Sequence, residues 1–191
     1  MSANPNLSQP PSISLRANLW VAIPIGVLLV AIFTGNFLLM NYVHVFTAIM
    51  WTGTDIFMGF MLGPIFRHVT LQTRKEIISW LMPKMVFYMS TVTAVTSTAG
   101  YYLAAKMGLF TYSTPTVYWI SAVVIIVIAM TVQGLGILLP TNLRIYFEIR
   151  KTEPNLEKIQ KWTRRYLKVV VSQVVLQIVI IYMMANFATG F

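Results

Sequence analysis

Five apolar stretches divide this chain, at about 17–35, 37–66, 77–103, 116–140 and 166–187. Each holds roughly the 20 apolar residues that a helix needs to cross about 30 Å of hydrocarbon. Backbone N–H and C=O groups in hydrocarbon must be satisfied within the segment, so such stretches become helices. The expected fold class is all-α: a polytopic membrane bundle of five transmembrane helices, with residues 15–191 forming one domain. Residues 1–14, rich in Pro, Ser and Asn, read as a disordered cytoplasmic tail. No basic segment with a short apolar core and a small-residue cleavage site is found there, so the first span should be retained.

The basic residues report orientation. Arg16 precedes the first span; Arg67, Arg74 and Lys75 lie between spans two and three. Arg144, Arg150, Lys151, Lys158, Lys161, Arg164, Arg165 and Lys168 gather between spans four and five or at the start of the fifth. The opposite loops carry only Lys106, and Lys84 falls inside span three. Twelve basic residues on one side against one on the other place the N-terminus in the cytoplasm and the C-terminus outside. The net charge of +9 is therefore a topology signal for the cytoplasmic membrane. A nucleic-acid partner is excluded, because the charges alternate with spans and have no aromatic stacking platform. A mean hydropathy of +0.71 leaves no soluble domain of useful size. The absence of cysteine excludes disulfides, thiolate metal sites and a thiol nucleophile.

Local chemistry sets the boundaries. Residues 19–66 as one helix would measure roughly 72 Å, too long for one crossing. Gly35-Asn36 is the turn signal within them, so the chain should reverse there. Pro64 and Pro140 sit where spans two and four reach the cytoplasmic side, and Pro115 marks the outer start of span four. Trp20, Trp80, Trp119 and Trp162 fall at interface depth, whereas Trp51 lies well inside span two. Segment 141–165 reads as a cytoplasmic helical extension, a turn at Glu153-Pro154-Asn155, and a basic amphipathic helix along the anionic inner surface.

The second span carries the chemistry. His44, Ala48, Trp51 and Asp55, spaced by four, three and four, form one helical stripe. Ionisable groups at bilayer depth are costly and face the bundle interior or a cavity. Gly59 and Gly63 form a small-xxx-small pair that admits another helix closely.

The run His44-Val45, five residues, Trp51, one residue, Gly53, continued to Gly63-Pro64 and Arg67, resembles the first core helix of a membrane superfamily. That group includes the copper-resistance protein D family and the HemJ-type protoporphyrinogen oxidases. The matching positions are His44, Trp51, Gly53 and Pro64, within residues 41–68. The resemblance implies a haem b or copper site at His44, beside Trp51. HemJ-type proteins also use a lysine on a later helix. The candidate, Lys168, enters span five from the cytoplasmic side, whereas His44 lies near the outer end of span two.

His44 and His68 stand about 36 Å apart on one helix and cannot ligate one iron within a chain. A second ligand would come from Met183 or Met184 at matching depth, from Met40 one turn below, or from a partner subunit. Imidazole with thioether serves haem iron and also suits Cu(I). The competing reading makes His44 an interhelical hydrogen-bond donor and the methionines gap-fillers. Asp55, Lys84, Gln133, Gln173 and Gln177 form a second polar layer, in which Lys84 is expected to pair with Asp55. The layer is either a structural ion pair with glutamine contacts or a path or site for a polar ligand. Two functions follow: a haem- or copper-binding redox protein, or a non-catalytic subunit packing within a larger membrane complex. Copper transport is a further alternative, and partner subunits, a homo-oligomer and membrane lipids are the expected partners.

Overall fold

The computed structural model describes residues 14, 16–111 and 116–189, and among them the backbone is helical, with no strand. The expected tail before Ser14 and the turn residue Pro115 lie outside them. A 3-10 stretch, Arg16–Val21, leads into α1 (Ala22–Thr34). Then come α2 (Phe37–His68), α3 (Leu71–Lys106), α4 (Val117–Ile149) and α5 (Leu156–Thr189). Three of them, α2, α4 and α5, are long and apolar enough to cross a membrane, which marks a membrane protein. The apolar part of the first helix is shorter, Asn18–Thr34. In α3 the apolar run is diluted by hydroxyl residues such as Thr91, Thr93, Thr96, Ser97 and Thr98.

Each turn has a local cause. α1 ends on Gly35 at φ +62°, a left-handed conformation that costs an L side chain about 1–2 kcal/mol but glycine little. Asn36 caps α2 by accepting from the Leu39 N–H at 2.9 Å. The expected reversal at Gly35-Asn36 is therefore where the chain turns. Thr70 caps α3 through the Thr73 N–H at 3.1 Å. Between α4 and α5, buried Glu148 accepts from Lys151 Nζ at 2.6 Å and from the Asn155 N–H at 3.2 Å. Asn155 then caps α5 through the Lys158 N–H at 3.0 Å.

Lys106, at the end of α3, donates to the Gly35 carbonyl, so the α1–α2 turn and the end of α3 share one end of the bundle. The opposite end is closed by a cluster of Phe66, Ile78, Met82, Ile145, Ile149 and Ile159. The 141–165 segment differs from expectation. The turn before Leu156 is present, but the basic helix is no separate surface helix: it continues without a break into α5. Leu156–Thr189 holds no Gly or Pro to break it, and Ile159, Thr163 and Tyr166 bury its inner face against the bundle.

Two turns are wound as π-helix, Phe57–Leu62 in α2 and Val132–Leu138 in α4. In each, the residue after the turn bonds five back: Gly63 N–H to Met58 and Leu139 N–H to Gly134. Proline follows both times, at 64 and 140. Its missing N–H and its ring, crowding the carbonyl four residues back, make the wider turn the cheaper one. Both π turns pack on α5. A Cβ on Gly59 would lie 3.3 Å from Val171 Cγ2, and one on Gly63 3.5 Å from Leu167 Cδ1. The glycine pair thus admits α5.

Candidate functional site

The stripe on α2 faces the bundle. Trp51 is buried, Asp55 is 0% exposed and His44 is half-buried. His44 sits in a socket made by α3. Its ring lies over Gly100, where an added Cβ would stand 2.8 Å from Cε1 and 3.1 Å from Nδ1, so only glycine leaves room. Nδ1 lies 2.9 Å from the Thr96 carbonyl. A carbonyl only accepts, so Nδ1 carries the proton and donates. Neutral imidazole then keeps its lone pair on Nε2, the arrangement that orients metal-bound histidines elsewhere. Thr96 is itself tied to α2, its hydroxyl donating to Thr47 Oγ1 at 2.8 Å.

The other expected ligands are placed differently. Met40 is packed among Leu28, Ala31, Val43, Val95 and Ala99. Met183 is buried and Met184 half-buried on α5. His68 is exposed at the end of α2. Gly53, a matching position of the family resemblance, has nothing within 4 Å of an added Cβ. It lies about half a turn away from the His44 face, counting 100° per residue.

About 27 Å down α2 from Phe37, the polar layer is partly assembled. Gln177 Nε2 donates to Asp55 Oδ2 at 2.9 Å. Gln173 Nε2 donates to the Met130 carbonyl at 3.0 Å, and Gln133 Nε2 to Ser172 Oγ at 3.3 Å. At the same level Thr54 Oγ1 donates to Tyr88 OH at 2.9 Å, and the Tyr88 ring lies tilted by 38° against Trp20 with ring centroids 5.8 Å apart. Lys84 is not part of the layer. It is exposed, flanked by buried Met82, Pro83 and Met85, and the expected Asp55–Lys84 pair does not form. Asp55 takes its amide partner, Gln177, from α5. The ion pair found among the described residues is Lys151–Glu148.

Trp51, Met85, Ser90, Gly134, Asn142, Tyr166 and Gln173 are among the residues lining a small cavity of about 30 Å³ beside this layer. Asn142 and Tyr166 had no part in the sequence reading. The signal available was Asn142 just past Pro140, on the buried side of an otherwise polar extension.

The class these features define is an all-helical membrane protein with a socketed histidine and a buried carboxylate. No family model, no curated protein and no solved structure matches the chain.

Proposed function

We propose that this chain is a multi-pass subunit of the cytoplasmic membrane that holds haem b through His44 and serves electron transfer. It crosses five times, with the N-terminus inside and the C-terminus outside. The observation that carries the reading is the His44 socket: the Thr96 carbonyl accepts the hydrogen bond from Nδ1–H and leaves the Nε2 lone pair free for iron. One well-oriented imidazole would be this chain's contribution to holding haem iron. Copper asks more of the protein. Beside His44, only Met40 stands one turn away as a thioether on the same helix. Bound haem would supply reversible one-electron chemistry; the protein's part is to orient the imidazole through Thr96 and Gly100. A second ligand would come from Met183 or Met184, or from a second copy or partner subunit.

A second reading, a subunit that only packs within a larger membrane complex, draws on the open face around Gly53. Copper transport draws on the family resemblance alone. One measurement separates them: the visible spectrum and metal content of protein isolated from its own membranes with native partners. A Soret band with α and β bands is expected, lost in His44→Ala and retained in His68→Ala. Bound copper without a Soret band favours the copper alternatives. Colourless, metal-free wild type overturns the ligand role and leaves the packing subunit.

A further inference from the structure

Between α2, α4 and α5 lies a group of side-chain atoms whose hydrogen-bonding capacity is one-sided. Asp55, Asn142, Gln173 and Gln177 are each at most 3% exposed. Asp55 Oδ1, Asn142 Oδ1, Gln173 Oε1 and Gln177 Oε1 are buried without a hydrogen-bond partner among the described residues. The donors nearby are Trp51 Nε1, which faces the Asp55 carboxylate, and the Tyr166 hydroxyl beside Asn142; neither brings a positive charge. Leaving a buried polar atom unpaired is costly, and acceptor oxygens facing one another cannot relieve one another. What satisfies them is electron-poor.

Charge narrows the ligand. Asp55 brings one negative charge, and the basic side chain expected to neutralise it, Lys84, is exposed elsewhere. The other titratable side chains described near it are the phenols of Tyr166 from α5 and Tyr88 from α3, and neither can supply a positive charge. Gln177 and Gln173 from α5 and Gln133 and Asn142 from α4 carry no charge. A buried carboxylate is tolerated only when paired or neutralised. One positive charge restores neutrality, whereas a divalent ion leaves an excess. The adjoining cavity of about 30 Å³, lined by Trp51, Asn142, Tyr166 and Gln173 but not by Asp55 or Gln177, takes one or two waters or a bare ion. It has no room for a quinone ring. The site is flanked by both π turns, one beginning two residues after Asp55 and the other containing Gln133 and Gly134. Such turns frequently occur at functional sites.

We propose that Asp55, with the carboxamide oxygens of Gln177, Gln173 and Asn142, forms a binding site for one monovalent positive charge, a proton or Na⁺. As a proton site, Asp55 carboxylate takes H⁺ from water and becomes a donor among acceptors. As a Na⁺ site, the carboxylate and amide oxygens supply the hard oxygen ligands such an ion prefers. The site is independent of His44 and of any bound haem.

The test is thermal denaturation of the detergent-purified full chain, followed by circular dichroism, so that no colour is required. Wild type is compared with Asp55→Asn in NaCl and in choline chloride of equal ionic strength, across about pH 5 to 8. For Na⁺, NaCl raises the wild-type midpoint above that in choline, and Asp55→Asn loses the difference. For a proton, the folded state holds H⁺ more tightly than the unfolded chain. Wild-type stability then falls as pH rises, independently of Na⁺, and Asp55→Asn loses that slope. Gln177→Leu keeps the carboxylate and serves as a second variant should Asp55→Asn fail to fold. It weakens Na⁺ about tenfold, or moves the pH midpoint upward by a similar factor, the scale of one hydrogen bond to a charged group. Folded variants that match wild type in both Na⁺ and pH response overturn the site.

Discussion

At the scale of single residues, the histidine socket makes a sharp demand on α3. A methyl group at position 100 would meet the His44 ring at 2.8 Å, so Gly100→Ala must push the imidazole off the Thr96 carbonyl. The expected cost is about 1–3 kcal/mol, the range for overpacking a well-filled site. The double variant Gly100→Ala, His44→Ala removes the clash and should cost less than the sum of the two single changes. Gly53→Ala, with open space around it, should be neutral or stabilising by about 0.5–1 kcal/mol. Denaturation midpoints of the four proteins in one detergent decide this; additive costs would remove the socket. The stripe from His44 through Asp55 was legible in the sequence because a 3.6-residue period fixes which side chains share a face. The Asp55–Lys84 pair was misread because depth along a helix says nothing about azimuth. Around Lys84 the sequence Ile77-Ile78-Ser79-Trp80-Leu81-Met82-Pro83-Lys84-Met85-Val86 is apolar on nearly every side, so no pattern marked which side faces inward.

Among the elements, the contact of α2 with α5 brings Gln177 to Asp55, and it depends on small residues at a widened turn. Gly59→Leu should therefore separate the two helices, since its Cβ would begin 3.3 Å from Val171 Cγ2. A loss of about 1–3 kcal/mol is expected. Gly136→Leu, on an exposed position where an added Cβ would meet only Val132 at 3.9 Å, should stay within about 0.5 kcal/mol of wild type. Equal effects in thermal denaturation would show that the glycine face is incidental. Pairing of α1 with α2 was readable from Gly35-Asn36, whose backbone and capping chemistry leave few alternatives. The π turns were not read, although Pro64 and Pro140 within otherwise continuous apolar runs were the available signal. The unbroken α5 was missed for a related reason. Its boundary was placed where polarity changes, but a helix ends where caps and breakers end it, and Leu156–Thr189 contains neither Gly nor Pro.

For the whole molecule, the deciding quantity is the charge difference between its two ends. α2 to α5, each of 32–36 residues, are about 48–54 Å long, well beyond a hydrocarbon layer of about 30 Å. The excess lies at the basic end, where Phe66, Ile78, Ile145 and Ile159 supply a core of their own. Arg74 is buried there over the Phe66 ring. Burial, and then the charge of Arg164, pull its guanidinium below its ordinary value. Crowding of like charges at this end is of the kind that an anionic lipid surface relieves. The other end carries Lys106, already engaged by the Gly35 carbonyl. The topology prediction follows from this asymmetry and can be read directly, because a chain without cysteine makes every introduced thiol unique. Thr111→Cys, exposed after α3, should react with an impermeant maleimide in intact cells; Thr152→Cys, exposed between α4 and α5, should react only after lysis. The reverse pattern would invert the orientation. Labelling of both sites in intact cells would place the two ends on one side and sink the five-crossing arrangement.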